Sequence, residues 1–278
     1  MALPITDTRH AFRPLCREIV DLLRALKTED WERPTIAGAW RVRDVVAHLL
    51  DTALRRLSFD RDRSLSPAGA HPAMSDRELV AFINSLNATW IRAAERLSTR
   101  VLTDLYAVSS RDLAAFVETL DLQAAAEFPV SWAGETRSLR WLDIGREFTE
   151  VWHHGSQIRR AVDAGPFSAP SWLRAVLQIA MHALPYAYRT VPGREGLSVA
   201  IRITGSASGE WTLQHRGRTW DIAEGLRPGA TAMATMSDEV AWRLFFNGLP
   251  LSEVQSAIQL EGDVDLARPL LHARSVIV

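Results

Sequence analysis

Cysteine occurs once in the 278 residues, at Cys16, so the chain can form no internal disulfide and no cysteine-based zinc knuckle. Cys16 stands with Leu15, Ile19 and Leu22 at helical spacing, which predicts a buried, inert thiol. Thiol chemistry, if it occurs, then needs an external thiol. Lysine is as scarce: Lys27 is the only one among 32 basic residues and falls on an early amphipathic helix, which sets Schiff-base chemistry aside. Net charge is nearly absent at −1, giving no electrostatic reason to expect DNA, RNA or an anionic membrane as partner. No apolar run approaches the length of a membrane span, and Met1-Ala-Leu-Pro-Ile-Thr-Asp7 lacks a signal-peptide profile, so a cytoplasmic protein is expected. Gly205-Ser-Ala-Ser-Gly209 has alanine where a nucleophile elbow needs serine, and no phosphate-binding glycine loop is found.

What is present is an ordinary globular balance, 47% hydrophobic and 23% charged, enough for one large domain or two smaller ones. The first two-thirds reads as helices. Phe12, Leu15, Ile19, Leu22, Leu23 and Leu26 mark a helix over about 8–27, and a second is expected near 41–58. A polar loop over 64–72 precedes Ser75-Asp-Arg-Glu78, which resembles a capping box opening a third helix through Leu97. The stretch 99–136 is harder to read, with a helix-like part at 111–126. Helices follow at 141–162 and 171–188. From about residue 194 the pattern alternates in the manner of strands, at 197–204, 211–215, 219–222 and 230–236. Arg216-Gly217-Arg218 has the look of a tight hairpin, and short helices are expected after Ser237 and at the end of the chain.

Candidate chemistry concentrates in Glu150-Val-Trp-His-His154, where Glu and His four apart share one flank of a helix turn. On that helix Ile144, Phe148, Val151, Ile158 and Val162 define the buried face, and Asp143, Glu147, Glu150 and His154 form a stripe beside it. His153 lands on the opposite side. Such a stripe is either a ligand-bearing groove or a solvated helix edge, and periodicity leaves both open. His48 ends the helical stretch Trp40-Arg-Val-Arg-Asp-Val-Val-Ala-His48-Leu, outside the edge of the Val42, Val45, Val46, Leu49, Leu50 and Ala53 face. Partial exposure is expected for it, with Asp44 or Asp51 at reach to orient its ring. The remaining histidines (His10, His71, His182, His215 and His272) have no paired ligand at useful spacing. Of the tryptophans, Trp141 and Trp152 are expected to pack the helices and Trp211 and Trp220 the sheet, while Trp40 can anchor the His48 helix.

The Trp40 to Leu49 stretch, with its Val-Arg-Asp run and His-Leu pair, resembles the signature of the DinB-like, mycothiol-dependent maleylpyruvate isomerase N-terminal family. Glu150-Val-Trp-His-His154 followed by Gln157-Ile-Arg159 resembles that family's second block. The resemblance covers roughly residues 8 to 165, and the C-terminal part resembles the small sterol carrier protein-like domain often fused to it. It implies an α+β, two-domain chain: an up-and-down four-helix bundle over 1–165, a connecting helix and linker over 166–193, and a small α+β domain over 194–278. It also implies a divalent metal, zinc first with nickel or manganese as alternatives, held by His48, Glu150 and His154. Arg41 stands where the family commonly has a Ser or Thr cap, and Gln157 where the isomerases themselves usually have Asp. Both depart from the pattern.

A two-His, one-Glu centre leaves an open position, as catalytic rather than structural sites do. The resemblance implies a low-molecular-weight thiol such as mycothiol as cosubstrate and a small electrophile as substrate, in an isomerase or S-transferase acting as a monomer or homodimer. A hydrolase using metal-bound hydroxide, with Glu147 as the nearby base, and a non-enzymatic binding protein are the competing classes.

Overall fold

The computed structural model describes residues 3–64 and 76–276. Contacts divide the chain into two compact units. One comprises Thr8–Asp121 and Glu150–Phe167, the other Met1–Asp7, Leu122–Thr149 and Ser168–Val278.

The first unit is helical: α1 (Arg9–Ala25), α2 (Val42–Arg56), α3 (Asp76–Ala94), α4 (Thr99–Glu118) and the part of α5 (Arg140–Ala161) from Glu150 onward. Phe12, Leu15, Cys16, Ile19, Val20 and Leu23 bury the apolar stripe of α1, so the thiol is indeed enclosed. α1 is tied to the end of α4 by a forked Arg13–Glu118 pair at 3.0 and 2.7 Å and by Arg9 Nη1 donating to Leu120 O at 2.8 Å. Gly155 lets α5 approach closely, since a Cβ there would lie 2.6 Å from Phe167 Cζ and 2.9 Å from Ile19 Cδ1.

Three helix boundaries differ from the sequence pattern. The helix-like stretch 111–126 is the second half of α4, which starts at Thr99 and stops at Glu118. Ser98 opens it, its Oγ accepting from Val101 N–H at 3.3 Å. Val101, Leu105 and Val108 are exposed on α4, which blurs its amphipathic stripe. Beyond α2 the chain continues as one wider turn, Leu57–Arg61, stabilised by a buried Arg56–Asp60 pair at 3.4 Å. α3 ends at Ala94 rather than Leu97. The Ser75 cap, His71 and the loop after Ser64 lie outside the described residues.

The second unit holds one five-stranded sheet, ordered β3 (Trp220–Glu224), β2 (Gly209–His215), β1 (Ser198–Thr204), β4 (Ala232–Ser237) and β5 (Gln259–Gly262). β1 and β4 are parallel, with Val199 opposite Ala232, and the other pairings are antiparallel. Helices α6 (Pro170–Ala180), α7 (Ala183–Ala187), α8 (Asp238–Phe245), α9 (Leu251–Ala257) and α10 (Val264–Ala267) complete it. Alternation in β2 places Trp211, Leu213 and His215 on one face. The buried Trp211 donates through Nε1 to Gln178 Oε1 on α6 at 3.0 Å.

The single helix expected over 171–188 is two. Pro185 cannot supply the N–H that would bond Met181 O, and its ring crowds that carbonyl. The chain tightens there instead, with His182 N–H on Ile179 O at 3.1 Å and Leu184 N–H on Met181 O at 3.1 Å. The hairpin runs Arg216–Thr219, closed by Arg216 N–H donating to Thr219 O at 2.8 Å, with Gly217 at φ 81°. Trp141 packs beside Val130, Trp132, Leu142, Ile179 and Ala183 in this unit, not in the helical one as its place on a long helix predicts. The architecture is the α+β arrangement expected, a helical region followed by a sheet with helices. Among the described residues no helix is long and apolar enough to cross a membrane.

Candidate metal centre

Among the described residues, one cluster of His, Cys, Asp and Glu brings three side chains together: one atom each from His48, Glu150 and His154 lies within 4.8 Å of the other two. All three belong to the helical unit. His48 comes from the middle of α2, and Glu150 and His154 from successive turns of α5. The i,i+4 spacing brings His154 Nε2 to 3.5 Å from Glu150 Oε2. The His48 and His154 rings meet edge to face with centroids 4.7 Å apart.

His48 departs from its expected half-exposure: it is 6% exposed, as is His154, because another helix covers the flank that the α2 pattern leaves open. Neither Asp44 nor Asp51 orients it. Asp44 accepts from the Arg41 backbone N–H at 2.9 Å and from Arg41 Nε at 3.0 Å, and Asp51 pairs with Arg55 at 3.1 Å. Arg41 thereby opens α2 without the Ser or Thr hydroxyl. His48 Nδ1 is buried with no hydrogen-bond partner, a costly condition for an imidazole nitrogen that a ligand role would relieve. Burial, and then the neighbouring His154, push the His48 pKa well below the ordinary histidine value, so its ring is neutral and has a lone pair to give.

Burial pushes the Glu150 carboxyl up. The hydrogen bond to His154 and the proximity of His153, His154 and His48 outweigh it, and its pKa falls to about 2. The carboxylate is therefore charged, and its side chain stays 24% exposed, the most open of the three. Gln157 fixes His154. Its Oε1 lies 2.7 Å from His154 Nδ1 and, as an acceptor, places a proton there, turning Nε2 toward Glu150. His154 Nε2 thereby faces the Glu150 carboxylate across 3.5 Å. The donor set, the orphaned His48 nitrogen and the ionised Glu150 all fit a divalent ion.

The stripe on α5 is not a solvated edge. Asp143 is fully buried and pairs with Arg146 at 2.5 Å, and Glu147 is buried as well. His153 is buried rather than facing solvent, its ring 4.0 Å from that of His154, yet it does not join the converging ligand atoms. Two contributors were under-read in the sequence. The Trp40 ring stands 5.0 Å from His48 and 6.1 Å from His154, an aromatic wall beside both imidazoles. Gln157, noted only as a departure, is the residue that orients the His154 ring. Its position one turn beyond His154 is a spacing signal that could have found it.

A helical unit bringing two imidazoles and one carboxylate within reach of a single ion defines a candidate metal-centre protein. Residues 12–159 match the Mycothiol maleylpyruvate isomerase N-terminal domain family, and the chain belongs to that family. Crystal structures of the mycothiol-dependent maleylpyruvate isomerase and of a mutant of it each superpose at TM-score 0.56 with 12% identity, covering 93% of this chain and 93% of theirs. That likeness speaks to the fold. Sterol Carrier Protein 2 Like 2 from Aedes Aegypti matches over 34% of this chain and 93% of its own, at 19% identity and TM-score 0.28. No curated protein gives a significant match.

Proposed function

We propose that the chain is a divalent-metal enzyme that uses a low-molecular-weight thiol, mycothiol or a close analogue, in an isomerisation of the maleylpyruvate kind. The observation that carries this reading is the convergence of His48, Glu150 and His154 in a chain of this family. Zinc suits two imidazoles and a carboxylate best, with nickel or manganese as alternatives. Residues 1–165 are proposed as the module carrying the centre, 166–193 as the connector and 194–278 as the smaller module. A cytoplasmic location, where such thiols stay reduced, suits the chemistry.

When bound, the ion would lower the pKa of a thiol reaching the open position and so supply a nucleophile near neutral pH. His48 gives a neutral nitrogen, Glu150 a negative oxygen, and Gln157 holds the His154 tautomer. Trp40 limits water on the side of the two rings. In the isomerisation the thiolate sulfur adds to one carbon of a cis double bond conjugated to a carbonyl, and the π pair moves onto the carbonyl oxygen as an enolate. Rotation about the new single bond follows. Collapse of the enolate expels the thiolate and leaves the trans alkene, so the thiol is regenerated. An S-transferase would share the addition and stop at the adduct.

The test is metal analysis of the purified chain beside His154→Ala, followed by mixing the loaded protein with mycothiol and maleylpyruvate. Stoichiometric metal lost in the variant, with cis-to-trans conversion and no net thiol consumption, is the expected result. Thiol consumed in proportion to product moves the assignment to the transferase. Equal, substoichiometric metal in both proteins overturns the centre.

A further inference from the structure

A divalent ion, the ionised Glu150 and a bound thiolate together carry no net charge, so that set does not attract a further anion. An electrophile of the maleyl kind is an anion, with a carboxylate directly on its cis double bond. Beside Glu150 that carboxylate needs a cation of its own.

Helix α2 supplies one. Arg55 follows His48 by seven residues, two helical turns, which returns it to the same flank to within about 20°. Its side chain folds back toward the N-terminus of α2, bringing Nε to 3.1 Å from Asp51 Oδ2. The guanidinium therefore stands at the level of Asp51, one turn from His48. Its charge is felt there: after burial and His154, Arg55 is among the influences that lower the His48 pKa.

The Asp51 contact leaves most of the guanidinium available. Arg55 Nε is buried and, despite the short distance, makes no hydrogen bond, so the two groups meet as an ion pair out of line. Burial keeps the Asp51 pKa raised although Arg55 pulls it down, a second sign of incomplete pairing. Neither terminal nitrogen donates to a described residue, and the side chain is 30% exposed. The next residue shows what a structural arginine looks like on this helix. Arg56 is 3% exposed, its Nη1 donating to the equally buried Asp60 at 3.4 Å. Asp51 instead holds Arg55 by its Nε edge, and the Nη1–Nη2 end remains, two parallel N–H groups that match a carboxylate.

We propose that Arg55 is the substrate anchor of this centre, receiving on its Nη1–Nη2 end the carboxylate of a small, cis-unsaturated acid. The identity of that acid rests on the isomerase reading; the anion subsite itself rests on the Arg55 geometry. Asp51 is then a positioning residue, fixing the guanidinium from the side away from the substrate.

The probe is maleate, which keeps the cis double bond and the carboxylate. It is titrated calorimetrically into the metal-loaded chain, Arg55→Gln and Arg55→Lys, with metal content and circular dichroism measured on each. One maleate per wild-type chain is expected, weaker by about tenfold or more in Arg55→Gln and partly restored in Arg55→Lys, with equal metal in all three. In turnover with mycothiol and maleylpyruvate, Arg55→Gln should raise the KM for maleylpyruvate by about tenfold and leave that for mycothiol unchanged. Arg55-dependent maleate binding without turnover keeps the anchor and removes the isomerase reading. Equal maleate affinity in the wild type and Arg55→Gln, as chelation by the ion alone would give, overturns the anchor. So does the absence of saturable binding, or a loss of metal or helix signal in Arg55→Gln, which would make Arg55 part of the scaffold.

Discussion

A set of buried polar groups in the sheet-bearing unit and the His48, Glu150 and His154 cluster in the helical unit are satisfied in opposite ways. In the sheet-bearing unit, Tyr188 Oη donates toward Leu266 O and Ala267 O at 3.0 and 3.1 Å, Trp211 Nε1 reaches Gln178, and Ser275 Oγ donates to Ala180 O at 3.0 Å. Each of these bonds ties one segment to another. In the helical unit, His48, Glu150 and His154 converge with the His48 Nδ1 atom left without a partner. The first pattern serves to hold a fold together. The second costs stability unless something else arrives, and that is the mark of a site rather than of a scaffold.

Substitutions can break this contrast or sharpen it. The largest effect should come from Trp211→Ala, which empties a fully buried indole site and should cost about 3–5 kcal/mol in chemical denaturation. Next comes His154→Ala, with metal affinity down more than about a hundredfold in a competition titration and an apo stability loss smaller than that of Trp211→Ala. A large apo destabilisation there would erase the distinction between site and scaffold. Gln157→Leu should lower metal affinity by about 10–100-fold by freeing the His154 tautomer, and an effect as large as that of His154→Ala would make Gln157 a ligand instead.

The smallest effect is a pH slope. Burial lowers the His182 pKa to about 4, so between 6.5 and 4 the unfolded chain binds the proton and the folded one does not. Stability from this residue is fully present above pH 6.5 and falls as the pH drops toward 4. Its loss should be about 1–2 kcal/mol after allowance for the ring's partial exposure. His182→Phe should flatten that slope in denaturation curves taken across the window.

The sequence pattern located α1, α2, α5 and four of the five strands because each presents a regular apolar face or a strict alternation. It missed β5, whose Gln259–Gly262 residues stay mostly exposed and carry no alternation. It joined α6 to α7 because the apolar period runs on through Met181, and only the missing N–H of Pro185 breaks the ladder. Spacing placed Glu150 and His154 on one flank of α5 but did not separate a ligand pair from a solvated edge; the resemblance singled the pair out. The burial of His48 was not legible, because periodicity sees the face a helix packs against its main neighbour and is blind to a second neighbour arriving from another part of the chain. The same blindness applied to Gln157, whose partner is one turn away but whose purpose depends on where the His154 ring points.

The parallel pairing of β1 with β4 has a kinetic consequence. Strands β2 and β3 form from neighbours in the chain, closed by the Arg216–Thr219 turn, and can pair within microseconds of becoming available. Val199 must wait for Ala232, across the whole hairpin, and β5 can add only after β4 is in place. During synthesis, β1 is therefore made well before the partner on its far side exists. One edge of Val199, Ile201 and Ile203 stands open for that interval, and closure of the β1–β4 seam should be the slow, non-local step in assembling this sheet.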